Sequence, residues 1–316
     1  MGQNLDRQRK TSAEPSDPAG RVLSDPAQGY AGLTDGVRLV AAGATGVEAT
    51  FARLRRHRFR PHTHDTLMLG LIEAGVKEFR RERSIHAAAP GRISVVDPGD
   101  LHTGSRVVGD ELRYRALYLP MALLTEAAAA AGFGPGGGVA GGDAPEVGFR
   151  CAVIEDAGLH ARLIATHQAL CRPETRLARD VLLREAAVML VARHGSGRRM
   201  RVSAAAASPE IERARALIRD RFAEDLPVAE IAAVAGLSPW HLMRQFRRLV
   251  GLPIHAYQIQ LRVEAAKRLL AVGCPTVQAA LETGFADQAH FSRRFKDLVG
   301  VSPAAWARDR RGAIGA

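Results

Sequence analysis

Cysteine is scarce in this chain. Its 316 residues hold three, Cys151, Cys171 and Cys274, an odd number at spacings that fit no metal or redox motif. That excludes a site built on cysteine chemistry and leaves three buried, apolar thiols in a reducing cytosol as the expectation. No apolar run approaches the ~20 residues a membrane-spanning helix needs. The first thirty residues are polar, with Pro and Gly among them, and lack the apolar stretch of a signal peptide. A soluble, cytoplasmic protein with no membrane partner is expected. Acid is short as well: 33 Asp and Glu face 44 Lys and Arg, a net charge of +11. The resulting pI is about 10.5. Such an excess suits a polyanionic partner, although charge alone does not separate nucleic acid from a membrane surface.

What is present suggests two domains, and 47% hydrophobic residues supply a core for each. Residues 1–30 read as a disordered tail, with few large apolar residues and many turn formers. Between 31 and 194, the runs VRLVAA, TLMLGLI, RISVVD and YRALYL alternate with Gly and Pro punctuation. They read as strands of a small barrel or jelly roll, with turns at Glu73 to Gly75 and at Gly109-Asp110. MALLTEAAAAA, from Met121, reads as a helix, and GFGPGGGVAGGDAPEVG as a loop whose glycines support neither regular structure. Helices follow over 156–170 and 174–193. Residues 195–207 form a basic linker of small residues, and 208–316 a helical domain. Serine as N-cap with proline at the first helical position recurs at Ser208, Ser238 and Ser302.

The helical domain contains a near-repeat. AGLSPWHLMRQFRRLVG ends at Gly251 and TGFADQAHFSRRFKDLVG ends at Gly300, 49 positions later. His241, Leu242, Arg244, Phe246 and Leu249 recur as His290, Phe291, Arg293, Phe295 and Leu298. Ahead of each basic helix stand a small residue where two helices can cross and a glycine for the turn. These are Ala232 and Gly236, then Ala280 and Gly284. The pattern predicts two helix–turn–helix units. In the first basic helix Leu242, Phe246 and Leu249 face inward, which turns Trp240, Met243, Arg244 and Arg247 outward. In the second, Phe291, Phe295 and Leu298 face inward, which turns Gln288, Ala289, Ser292, Arg293 and Lys296 outward. Arg reads guanine, Gln reads adenine, and Ala or Met touches a thymine methyl. A helix predicted over 254–272 would hold the two units about 28 Å apart, close to the ~34 Å between successive major grooves. The partner is therefore double-stranded DNA.

These residues resemble a known family. GFADQAHFSRRFKDLVGVSP is similar to the signature of the AraC/XylS transcription regulators, and the resemblance is dense from Ile211 to Trp306. It implies two helix–turn–helix subdomains on a central helix. It also implies base-facing roles for Trp240, Met243, Arg244, Gln288, Ala289, Ser292 and Arg293. Thr276 and Ala279 depart from the larger aliphatics usual in the family, so looser packing is expected in the second unit. Trp306 replaces the usual Tyr or Phe, and the arginine that should follow is displaced to Arg308.

The amino-terminal part resembles the family's sensor. PHTHDTLMLGLIEAGVKEFRR and APGRISVVDPGDLHTG look like the two motifs of a cupin barrel. His64, Arg80, His102 and Tyr114 are candidate effector-pocket residues. His62, His64 and His102 match three metal-ligand positions of cupin enzymes, but Met68 and Leu69 stand where the ligating Glu belongs. No metal, cofactor or catalytic residue is assigned; a metal-dependent cupin enzyme fused to a DNA-binding domain is the alternative. Leu177, Val181 and Val188 either form a homodimer stripe, as the family implies, or cover the barrel. The expected architecture is thus an α+β two-domain chain. Its parts are an N-terminal cupin-like β-barrel with flanking helices (31–194) and a C-terminal all-α DNA-binding domain (208–316). Its expected function is effector-responsive transcription regulation, an activator by family habit, with RNA polymerase as a further partner and no enzyme activity.

Overall fold

The computed structural model describes residues 29–42, 46–81, 84–133, 147–172, 175–196 and 208–314. Most of the expected tail, glycine-rich loop and linker lies outside them. Eight strands form one antiparallel sheet: β1 (Gly36–Ala42), β2 (Glu48–Leu54), β3 (Phe59–His62), β4 (Leu67–Arg81), β5 (Ser84–Ala88), β6 (Ile93–Val96), β7 (His102–Leu119) and, after the short β8 (Gly148–Phe149), β9 (Val153–Ile154). The order is β1-β2-β7-β4-β6-β9, with β3 added to β7 and β5 to β4. The long strands β4 and β7 run side by side and form the spine.

Two of the expected turns are not turns. β4 runs through Glu73–Gly75 to Arg81, its register slipping between Ile72 and Lys77. Gly75 has φ +73°, and the Glu111 backbone lies where its Cβ would be. Such a bulge re-aims a strand without ending it. β7 likewise continues through Gly109. Tyr30, expected in the tail, is packed in: its ring meets Phe51 edge-on at 4.9 Å and its hydroxyl donates to Glu73.

One face of the sheet carries Leu67, Leu69, Leu71, Leu117 and Leu119. It is covered by α1 (Met121–Ala130), α2 (Ala157–Leu170) and α3 (Arg176–His194). Within α3, Leu183, Ala186, Leu190 and Val191 are buried, while Leu177 and Val181 are 73% and 45% exposed. Val188 packs on the covered core, so the expected three-residue stripe is split. The other sheet face, with Met68, Ile72, Phe79 and Tyr114, turns toward the C-terminal helices. The expectation of three buried thiols needs correction. Cys151, beside the short β9, is exposed, and Cys171 and Cys274 are half-buried.

The C-terminal domain is all helical: α4 (Pro209–Asp220), α5 (Val228–Ala235), α6 (Pro239–Val250), α7 (Ile254–Ala271), α8 (Thr276–Glu282), α9 (Gln288–Val299) and α10 (Pro303–Ile314). Ser208, Ser238 and Ser302 each accept an N–H at the start of a helix, as the Ser-Pro pairs predict. One core gathers Ile211, Ile218, Leu242, Phe246 and Tyr257. A second gathers Val263, Leu270, Phe291, Phe295 and Trp306. Ala279 is small and lies in a core that also holds four aromatic rings. Phe285, Phe291, Phe295 and Trp306 follow one another at centroid distances of 5.1, 5.5 and 6.2 Å. α7 belongs to both cores, and its buried Arg262 ties them together. The guanidinium donates to Phe222 O and Glu224 O at 2.8 Å and to Gly284 O at 2.5 Å.

Candidate DNA interface and effector cavity

The two basic helices are built alike. α6 starts on Ser238 and ends on Gly251; α9 starts on Asp287 and ends on Gly300, both glycines left-handed. Each buries two large side chains, Leu242 and Phe246 in α6, Phe291 and Phe295 in α9. Leu249 and Leu298 pack partly against the same cores. The residues expected to read DNA stand on the opposite faces. Trp240, Met243, Arg244 and Arg247 are exposed, as are Gln288, Ala289, Arg293 and Lys296; Ser292 is half-buried. The Arg244 guanidinium lies over the Trp240 ring at 5.4 Å. None of Arg244, Arg247, Arg293 and Lys296 makes an ion pair among the described residues, so their charge is available to a polyanion. α7 has 18 residues, about 27 Å of rigid rod between the two units.

The second feature is a cavity of about 230 Å³ between the sheet and the helical domain. β1 to β4 and β7 supply most of its wall. α7 adds Gln260, Glu264 and Lys267, and Leu298, Val301 and Trp306 close the far side. The seam around it is held by direct contacts. Val37 N–H donates to Gly300 O at 3.3 Å. Gln260 accepts from Thr63 N–H at 3.0 Å and donates to Thr63 Oγ1 at 2.6 Å. Arg60 pairs with Asp297 at 3.0 Å, and Arg310 with Glu48 at 2.7 Å. Leu101 packs on the first helical core.

Of the four expected pocket residues, His64, His102 and Tyr114 line this cavity and Arg80 does not. Arg80 is exposed: alternation along β4 turns Lys77 and Phe79 inward and Arg80 outward. The charged residue of β4 that does reach the cavity is Lys77, 4% exposed. Sequence reading missed it by ending the strand at Gly75. Its place two residues before an inward Phe79 was the available signal.

His62, His64 and His102 come together, with ring centroids 4.2 Å (62 to 102), 4.7 Å (64 to 102) and 6.1 Å (62 to 64) apart. Each Nδ1 sits 2.7–3.0 Å from a backbone carbonyl, of Arg60, Thr66 and Asp100 respectively. These bonds place the proton on Nδ1 and leave Nε2 as a lone-pair acceptor. Burial depresses all three, His62 to about 4 and His64 to about 3, so the rings are neutral. Glu73, further along β4, is bound to Arg115 and Tyr30. Among the described residues no group of three His, Cys, Asp or Glu is placed to hold an ion.

Both parts of the chain resemble known proteins. Residues 45–187 match the family model of an AraC-like ligand binding domain, and residues 231–309 that of a helix-turn-helix domain. Over 233 residues the chain is 27% identical to the uncharacterized HTH-type transcriptional regulator YbfI of Bacillus subtilis, covering 74% of this chain and 81% of that one. It is 36% identical over 90 residues to the HTH-type transcriptional activator AarP of Providencia stuartii, 28% of this chain and 67% of the other. The arabinose operon regulatory protein of Escherichia coli is 34% identical over 89 residues, 28% of this chain and 30% of its own length. Among solved structures, apo ToxT from Vibrio cholerae shares the fold. Its TM-score is 0.55 at 11% identity, over 84% of this chain and 98% of that one.

Proposed function

This chain belongs to the AraC family of transcription regulators, and on that premise we propose that a small effector held in the seam cavity controls how α6 and α9 engage DNA. The observation that carries the reading is the shared wall: the helix that spaces the two reading units also lines the cavity, through Gln260, Glu264 and Lys267. A ligand there touches the sensor sheet and the DNA-binding domain at once. Its differential affinity for two arrangements of the seam is the energy available for switching.

In this reading Trp240, Met243, Arg244 and Arg247 meet one major groove, and Gln288, Ala289, Ser292, Arg293 and Lys296 the next. The protein works in the cytoplasm as an activator that contacts RNA polymerase, and the exposed Leu177 and Val181 seed a homodimer contact. The test is selection of bound sequences from random DNA, followed by footprinting of variants. Arg244→Ala and Arg293→Ala are each expected to relax base preference at one position, costing about 1–3 kcal/mol there. The two positions should lie about one helical turn apart. Uniform weakening on all sequences would instead mark these arginines as phosphate contacts.

A further inference from the structure

Lys77 has an unusual setting. Its ammonium has Ser94 Oγ at 3.0 Å, Met68 Sδ at 3.9 Å, and the rings of Tyr114 and Phe79 at 4.8 and 5.3 Å. No carboxylate pairs with it among the described residues. The other lysine at the cavity is already matched: Lys267 lies 3.5 Å from Glu264 and 4.0 Å from Glu48. An ammonium has three protons to donate, and only one good acceptor meets this one. A buried ammonium without a counter-ion is costly, so an incoming anion that holds the proton on Lys77 is favoured.

Two further buried polar atoms of cavity residues, His64 Nε2 and Thr50 Oγ1, have no hydrogen-bond partner among the described residues. The histidine nitrogen is an acceptor and repels a carboxylate, but it suits a hydroxyl donor. The far wall, Leu298, Val301 and Trp306, is apolar. The cavity measures about 230 Å³. It falls below the ~300–1,000 Å³ of pockets for drug-sized ligands. We propose that the effector is a small hydroxycarboxylate. Its carboxylate sits on Lys77, a hydroxyl meets His64 Nε2 and Thr50 Oγ1, and its carbon skeleton lies against Trp306. This rests on the effector role given above to the cavity.

The test uses the full-length protein and glycolate, the smallest member of the class, at matched ionic strength. D-galacturonate and 4-hydroxybenzoate are run beside it to separate aliphatic from aromatic acids, with glycolamide as the neutral control. Thermal shift and calorimetric titration are the readouts. Glycolate is expected to stabilise the protein where glycolamide does not. Whichever larger acid binds more tightly identifies the source. Lys77→Met, which removes a buried charge while keeping the side chain's length, should weaken binding at least tenfold and leave the fold intact. His64→Phe should weaken it several-fold. Equal binding of glycolamide, unchanged affinity in Lys77→Met, or no response to any of the three acids overturns the proposal. Sequence selection by the ligand-free protein is measured in parallel. Failure there would sink the regulator reading, while binding of the acids would still stand or fall on its own.

Discussion

At the scale of single residues, the cavity's titratable groups make the fold's stability depend on pH in two windows. Burial lowers Lys77 from 10.5 to about 7. Between those values the unfolded chain holds a proton that the folded chain does not, so stability rises with pH. The slope reaches at most about 1.4 kcal/mol per unit. Lys77→Met should abolish that slope and raise the melting temperature at neutral pH, as differential scanning calorimetry over pH 7 to 10 would measure. The histidines act lower down. Folded values near 4 for His62 and 3 for His64 lie under the unfolded 6.5. Stability is therefore full above pH 6.5 and falls as the pH drops toward 4. Replacing His62 and His64 by Gln should flatten urea midpoints measured across that interval. The histidine motif was legible in the sequence because both motifs put the rings beside turns at strand ends. Lys77 was not, because only the bulge at Gly75 restores the parity that turns it inward, and bulges have weak sequence signals.

At the scale of elements, the helical half was the more legible. Ser-Pro pairs start α4, α6 and α10 and glycines stop α6 and α9, all by local chemistry, and the 49-residue repeat relates α6 to α9. The strands were harder. β2, with Ala49, Phe51, Ala52 and Leu54 all buried, has no clean alternation because both of its faces are covered. α7 has a role no sequence pattern announced: Arg262 bonds carbonyls of both helix–turn–helix units. Arg262→Met keeps the bulk and orphans those carbonyls. It should cost about 2–4 kcal/mol in chemical denaturation. DNA with two spaced half-sites should lose more affinity than either half-site alone, because the units would no longer be held at one spacing.

At the scale of the whole molecule, the sensor rests on both reading units. Leu101 lies against Gly251, and Val37 and Phe59 lie against Gly300, the two glycines that close the repeat. Glu48 joins Lys267 and Arg310 across the seam, with about a quarter of its side chain exposed. Glu48→Gln should therefore cost only about 1 kcal/mol, but it should separate the sensor's melting from that of the helical domain in calorimetry. DNA affinity would then respond less to bound effector. The chain's two tryptophans occupy opposite ends of this machine: Trp240 is 65% exposed on the DNA face, and Trp306 is 3% exposed at the cavity wall. Their emission is therefore separable, redder and quencher-accessible for Trp240, bluer and shielded for Trp306. In a Trp240→Phe background the remaining fluorophore becomes an internal optical gauge of cavity occupancy. In a Trp306→Phe background the other reports DNA engagement, so one unlabelled molecule can be followed at both ends by light alone.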